Sequence, residues 1–243
     1  MIDNMPPSND SINVNDKLQD GDIDARHKKQ LLEMEEKFKQ ERDSFQKEMF
    51  HRFKNNLQVI TSLLNIQSSY VKDEDSRRMF VDSTERVNTM AMIYDKQNQT
   101  ENPIVICFDN YLRNLVDYIV QNNNSNTKDI RHEINAVNLN LPVKIAQACG
   151  LIINELITNS LRHAFLNVNT GNIKIKLEHN DGAYILSVED NGIGLPEDFN
   201  IESIDSLGLM LVRSLADQIN GTLDIISING TKFVLKLPEQ SGH

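Results

Sequence analysis

Apolar residues recur at spacings of three and four along two stretches of this chain, and a single helical hairpin cannot bury both. Phe50, Phe53, Leu57, Ile60, Leu64 and Val71 mark the first seam, and Phe80, Thr84, Val87, Ala91 and Tyr94 the second. Asp73 to Ser76 marks the turn between them. Two copies of such a hairpin close a four-helix bundle, so the pattern predicts a homodimer. Upstream, residues 26–50 read as a charged helical coil, with Leu31, Met34, Phe38 and Phe45 at heptad spacing and Glu41 and Glu48 weakening the seam. Near residues 45–50 the register shifts, and His51 falls one step off the new seam on an accessible flank. A local change in coil winding and a coil fraying into a bundle both fit this shift. Residues 1–25 carry six Asp against one Lys and read as a disordered acidic tail.

Beyond a polar, proline-terminated linker at Gln97–Pro103, the period changes. Ile104–Phe108 is strand-like, and Asp109 can cap a helix carrying Leu112, Leu115, Val116 and Ile119. Ile130–Leu141 reads as a strand region, and Pro142 can open the helix that follows. Ile173, Ile175 and Leu177 alternate with Lys174, Lys176 and Glu178, as in a half-buried strand. Asn180-Asp181-Gly182 turns into the next strand, Ala183 to Glu189. Leu209, Val212, Leu215 and Ile219 mark a helix, and Asn229-Gly230 joins two strands as a hairpin. Strands with helices on one face predict an α+β sandwich.

Two stretches carry candidate chemistry. Asn154, Glu155, Thr158, Asn159, Arg162 and His163 fall on one face of the helix after Pro142, with Cys149, Ile152, Leu156 and Leu161 on the other. Neutral and anionic oxygens lined up on an otherwise buried helix need a polar partner, and magnesium, which takes oxygen ligands, suits them. Asp190, Gly192 and Gly194 follow the strand that ends at Glu189, spaced to let backbone approach a ligand closely. Near the first seam, Lys47, Glu48, Lys54 and Asn55 lie one helical turn from His51. A neutral imidazole, with an unperturbed pKa of ~6.5, is a competent nucleophile at pH 7. Lys54 or Arg52 could steady an anionic group beside it, and Glu48 or Asn55 could orient the ring.

Asn154-Glu155-Leu156-Ile157-Thr158-Asn159 and Asp190-Asn191-Gly192-Ile193-Gly194 resemble the N box and first glycine box of GHKL-type ATP-binding domains. Ser206-Leu207-Gly208-Leu209 resembles the second glycine box, with one glycine where many kinases have two or more. Asn229-Gly230-Thr231 is similar to the entry of the family's last strand. His51-Arg52-Phe53-Lys54-Asn55-Asn56-Leu57-Gln58 resembles the phospho-acceptor helix of sensor histidine kinases in the branch related to the HWE kinases.

The resemblance implies a dimeric helical-hairpin domain for dimerisation and histidine phosphotransfer over residues 45–98. An α/β-sandwich GHKL (Bergerat-type) ATP-binding domain follows over residues 104–238. It implies ATP and magnesium as cofactors, autophosphorylation of His51, and transfer to an Asp of a response-regulator receiver domain. It assigns Asn159 as a magnesium ligand, with Glu155 holding a magnesium-bound water, and it sets Asn154 in the same site. Arg162 and His163 would lie within reach of phosphates or ribose. Asp190 would read the adenine amine, Thr231 would lie near the base, and Gly192 and Gly194 would pass beside it. Residues 195–207 would form a mobile lid, with Gly208 offering amides to phosphates. In many relatives an acidic residue follows the acceptor His; here Arg52 stands there, which leaves the orienting group open.

The net charge of −10 argues against a nucleic-acid surface, which demands a basic face. No apolar run approaches the ~18 residues of a membrane helix, and the first residues lack the basic and apolar regions of a signal peptide. The expectation is a cytoplasmic chain with no membrane span. Cys107 and Cys149 read as buried free thiols. Two other functions fit parts of this pattern: a non-catalytic phosphotransfer or scaffold protein with a degenerate ATP domain, and a GHKL ATPase using water as acceptor.

Overall fold

A computed structural model describes residues 12–97, 105–123, 129–136, 139–166, 168–196, 199 and 206–238, with side chains from Arg26 onward except at 95–97. The expected linker after Gln97 and most of the expected lid, at 197–198 and 200–205, lie outside these residues. The chain divides into two compact units, Met1–Met49 and Phe50–His243, at the point where the apolar seam shifts register.

The first unit is the N-terminal part of helix α1 (Ile12–Tyr70), which starts within the segment expected as a tail. Its seam residues Leu31, Met34, Phe38 and Phe45 are all more than half exposed. Lys29–Glu33 and Lys37–Glu41 pair at i,i+4 along its surface, contacts worth a few tenths of a kcal/mol each.

The second unit contains the rest of α1 and helix α2 (Glu74–Gln97). Asp73 caps α2, its Oδ2 accepting from the Ser76 amide at 2.8 Å. The hairpin is joined by Tyr94, whose ring lies 5.6 Å from Phe50 and 5.9 Å from Phe53, and by a bond from Thr61 to Asn88 at 3.2 Å. Val59, Ile60, Leu63 and Ile66 of α1 remain exposed.

The α/β part of this unit follows: β1 (Val105–Cys107), α3 (Phe108–Asn123), β2 (Asp129–Ala136), β3 (Asn140–Pro142) and α4 (Val143–Asn159). A π-helical turn (Ser160–Ala164) extends α4. Then come β4 (Thr170–Asn180), β5 (Ala183–Asp190), α5 (Leu207–Gln218), β6 (Thr222–Ile226) and β7 (Thr231–Pro238). The five-stranded sheet runs β2-β4-β5-β7-β6, with β2 parallel to β4 and the other pairs antiparallel. Ile173, Ile175 and Leu177 turn inward, as their alternation predicts, under α3, α4 and α5. Asp181 and Gly182 take positive φ at the β4–β5 turn, and Asn229 and Gly230 do so at the β6–β7 hairpin.

Three local expectations need correction. The Ile130–Leu141 region is two strands in different sheets, because β2 pairs with β4 whereas β3 pairs with β1. Helix α3 starts at Phe108, one residue before the expected cap. The Phe108 amide already donates to Leu139 at 2.8 Å and its ring is fully buried, so Asp109 sits inside the first turn. Neither cysteine is in a disulfide, but only Cys149 is buried; Cys107 is half-buried.

Helix α2 has a second face that the seam analysis did not single out. Glu85, Thr89 and Ile93, at i, i+4 and i+8, are all buried, and Ile93 is part of the α/β core at 0% exposure. Tyr111 donates to the Thr89 carbonyl at 3.3 Å, Asn88 to Tyr118 at 2.9 Å and Asn123 to Glu85 at 3.2 Å. Thus α2 is anchored on α3 and packs against α4 between Glu85 and Ile93.

Candidate functional site

Helix α4 is buried from Ile145 almost to its end, and its polar residues face two neighbouring cavities. Asn154, Glu155, Thr158, Asn159 and Arg162 line the first, of about 320 Å³, together with Asp82, Glu85 and Arg86 of α2 and Ser206 and Gly208 at the start of α5. Asn159 also lines the second, about 520 Å³ and mostly apolar, with His163, Gly194, Thr231, Leu209 and Phe233. The expected polar face is therefore real, but it is divided. A π turn carries one more residue than an α turn, and across Ser160–Ala164 Arg162 reaches the first cavity while His163 reaches the second.

Asp190 ends β5, where its register partner on β7 is Thr231. It is 5% exposed, and its carboxylate accepts from Ser160 Oγ at 2.8 Å, the Gly192 amide at 3.0 Å and the Thr231 amide at 3.3 Å. Ser160 and Thr231 line the second cavity in front of it. Gly192 is required by close approach: a Cβ there would collide with the Ala164 carbonyl, which accepts from the Ile193 amide at 3.0 Å. The glycine loop is thereby tied to the π turn.

The first cavity is strongly charged. Arg86 grips Glu155 side-on, Nε to Oε1 and Nη2 to Oε2, both at 2.8 Å, with side chains 16% and 8% exposed. Arg162 holds Asp82 through both terminal nitrogens, one bond being 2.9 Å. These hydrogen bonds raise the pKa of each guanidinium further, and burial pushes the Glu85 carboxyl up. Removing one partner of a buried pair such as Arg86–Glu155 typically costs about 3–5 kcal/mol.

His51, Arg52, Lys54 and Asn55 lie on α1 in the second unit, His51 exposed; Glu48 precedes them on the same helix in the first unit. None of the five lines either cavity.

A family profile described as "Histidine kinase" matches residues 48–123, and one described as "Histidine kinase-, DNA gyrase B-, and HSP90-like ATPase" matches residues 145–241. The chain belongs to the HWE-related histidine kinases. It is 33% identical over 204 residues to the sensor histidine kinase PdtaS of Mycolicibacterium smegmatis, covering 81% of this chain and 40% of that protein. It is 28% identical over 183 residues to blue-light-activated histidine kinase 2 of Erythrobacter litoralis, covering 73% of this chain and 52% of that one. The chain thus spans two fifths to about half the length of these curated relatives. The histidine kinase domain of the Erythrobacter litoralis EL346 blue-light activated kinase superposes with a TM-score of 0.61 at 24% identity, covering 80% of this chain and 95% of that one, a likeness that bears on the fold.

The GHKL-type family implies an ATP site and, with it, a divalent ion, and the residues present fit both. Asn154 and Thr158 line the first cavity, and their Oδ1 and Oγ1 atoms are buried without a hydrogen-bond partner, a costly state. Asn159 and Glu155 offer oxygen donors of the kind magnesium takes, and a magnesium ion keeps waters and phosphate oxygens for its remaining positions. The apolar second cavity, with the Asp190 carboxylate behind it, suits a flat base bearing an amine. Sequence reasoning missed Asp82, Glu85, Arg86 and Ser160. Ser160 adjoins Asn159 and was within reach; nothing local marks Arg86, whose partner lies 69 positions away. Among the described residues, no helix is long and apolar enough to cross a membrane.

Proposed function

We propose that this chain is an ATP-dependent protein-histidine kinase that binds Mg-ATP against α4, phosphorylates His51, and passes the phosphoryl group to an Asp of a response-regulator receiver domain. Adenine occupies the second cavity with its exocyclic amine toward Asp190, beside Gly192, Gly194 and Thr231. The phosphates extend toward Asn154, Asn159 and the start of α5 at Gly208, within the span from His163 to Arg162. Asn159 and Glu155, the latter directly or through water, would hold magnesium, which would supply charge neutralisation on the phosphate oxygens.

One imidazole nitrogen of His51 attacks the γ-phosphorus. The N–P bond forms as the bond to the β–γ bridging oxygen breaks, ADP departs, and the ring proton is lost to solvent. Lys54 or Arg52 steadies the transferring group, and Glu48 or Asn55 orients the ring. The exposed apolar face of α1 (Val59, Ile60, Leu63 and Ile66) supports a homodimer formed through the hairpin. Such a kinase works in the cytoplasm, where ATP is supplied.

The observation that carries this reading is the coincidence, on one helix, of orphaned polar oxygens and of Ser160 bonded to Asp190 beside an apolar cavity. Incubation with γ-labelled ATP and magnesium should give an acid-labile, base-stable phosphoprotein. Equal labelling of His51→Gln would reject His51 as acceptor, and the absence of any nucleotide binding would return the scaffold reading.

A further inference from the structure

Arg86 belongs to the hairpin, yet its guanidinium sits in the first cavity, bonded to both oxygens of Glu155. The second ion pair has crossed polarity: there the cation, Arg162, comes from the turn after α4, and the anion, Asp82, from α2. Opposite polarity in the two pairs fixes the register of α2 on α4, because a one-turn slide would set like charges together. The first turn of α5 comes close to the same carboxylate: a Cβ at Gly208 would lie 2.7 Å from Glu155 Oε2. Glu155 therefore stands between α2 and the first turn of α5. Asn154 and Thr158 line the same cavity, and their side-chain oxygens Oδ1 and Oγ1 are buried without a hydrogen-bond partner.

We propose that Arg86 is a built-in counter-ion which magnesium-nucleotide must displace, so that the Arg86–Glu155 and Arg162–Asp82 pairs form a nucleotide-sensitive latch holding α2 against the N box. The latch rests on the ATP reading given above. A divalent cation beside Glu155 and a guanidinium on the same carboxylate repel one another in a poorly solvated cavity, so each weakens the hold of the other. By linkage, whatever loosens the Arg86 pair tightens nucleotide binding, and nucleotide binding frees α2. Ile93, fully buried, stays seated and serves as the pivot, while the segment from Met79 to Arg86 lifts. Arg86 thus becomes a positioning residue, acting through Glu155 and through the placement of the hairpin that carries His51.

The test is calorimetric titration of the full chain with a non-hydrolysable ATP analogue, in magnesium and in EDTA, for wild type and Arg86→Gln. Hydrogen exchange of α2 in the wild type is measured in parallel and requires no variant. The latch predicts that Arg86→Gln binds the analogue about tenfold more tightly in magnesium, within the usual range of coupling between sites, and less than twofold more tightly in EDTA. It also predicts that magnesium-analogue speeds exchange of the amides between Met79 and Arg86 in the wild type. Unchanged or weaker magnesium-dependent binding by Arg86→Gln overturns the latch; weaker binding would instead make Arg86 a phosphate ligand. Exchange that fails to rise in the wild type overturns it as well, whether or not the variant folds. No binding by either protein overturns the ATP reading and the latch together; binding without coupling overturns the latch alone.

Discussion

The α1 flank around His51 and the α2 face around Arg86 are both charged helical surfaces, and they differ in what surrounds them. His51 stands exposed, its neighbours along the helix forming a string legible from the sequence. Asp82 and Arg86 are held by α4 and its π turn through partners 80 and 69 positions away, and Glu85 by Asn123 of α3, 38 positions away, so their meaning depends on distant residues. An exposed site can be changed with little structural cost. An enclosed one couples chemistry to fold.

The largest contrast is in activity. His51→Gln should reduce phosphoryl labelling to background while shifting stability by no more than about 0.5 kcal/mol, as an exposed substitution does; filter-bound label and a thermal melt read the two quantities. Comparable destabilisation by this change would erase the distinction between the two faces. Next in size is the effect on stability. Arg86→Ala should leave Glu155 buried and unpaired, at a cost of about 3–5 kcal/mol, so denaturant midpoints should fall well below those of His51→Gln.

Glu85 offers a smaller, pH-dependent test. Burial raises its pKa in the folded state, so its contribution is most favourable below the unfolded carboxyl value and is lost as pH rises through the folded one. Glu85→Gln should therefore raise the melting temperature at pH 7–8, and the gain should vanish toward pH 4. Melts across that range that show the opposite slope would mean that Arg162 and Asn123 outweigh burial. The smallest effect concerns the buried thiol. Cys149 is pushed up to about 12 by desolvation and is enclosed, so a thiol reagent at pH 8 should modify at most Cys107 until the protein is unfolded.

Sequence and structure agree most closely where short-range periodicity carries the information. The inward alternation of Ile173, Ile175 and Leu177, the Asn229-Gly230 hairpin and the shared face of Asn154, Glu155 and Asn159 all follow from steps of two, three or four. The ends of elements were less legible. Phe108 joined its helix because Leu139, 31 residues later, accepts its amide. The inward stripe of Glu85, Thr89 and Ile93 was hidden because two of its three members are polar. The partition of the α4 face between two cavities was not legible at all, since no residue from Ser160 to Ala164 announces a wider turn.

That wider turn has a consequence for how this helix tolerates length changes. Each residue of an α-helix advances the direction of its side chain by roughly 100°. A π turn spreads one more residue over the rotation of an ordinary turn. Deleting one residue between Ser160 and Ala164 would therefore rewind the segment into ordinary helix without turning the chain beyond it, leaving the Ala164 carbonyl aimed at the Ile193 amide. A further inserted residue would instead swing Ala164 by about that angle. The surplus residue thus works as slack in the rod, expendable in length while the glycine loop tied to its end keeps its place.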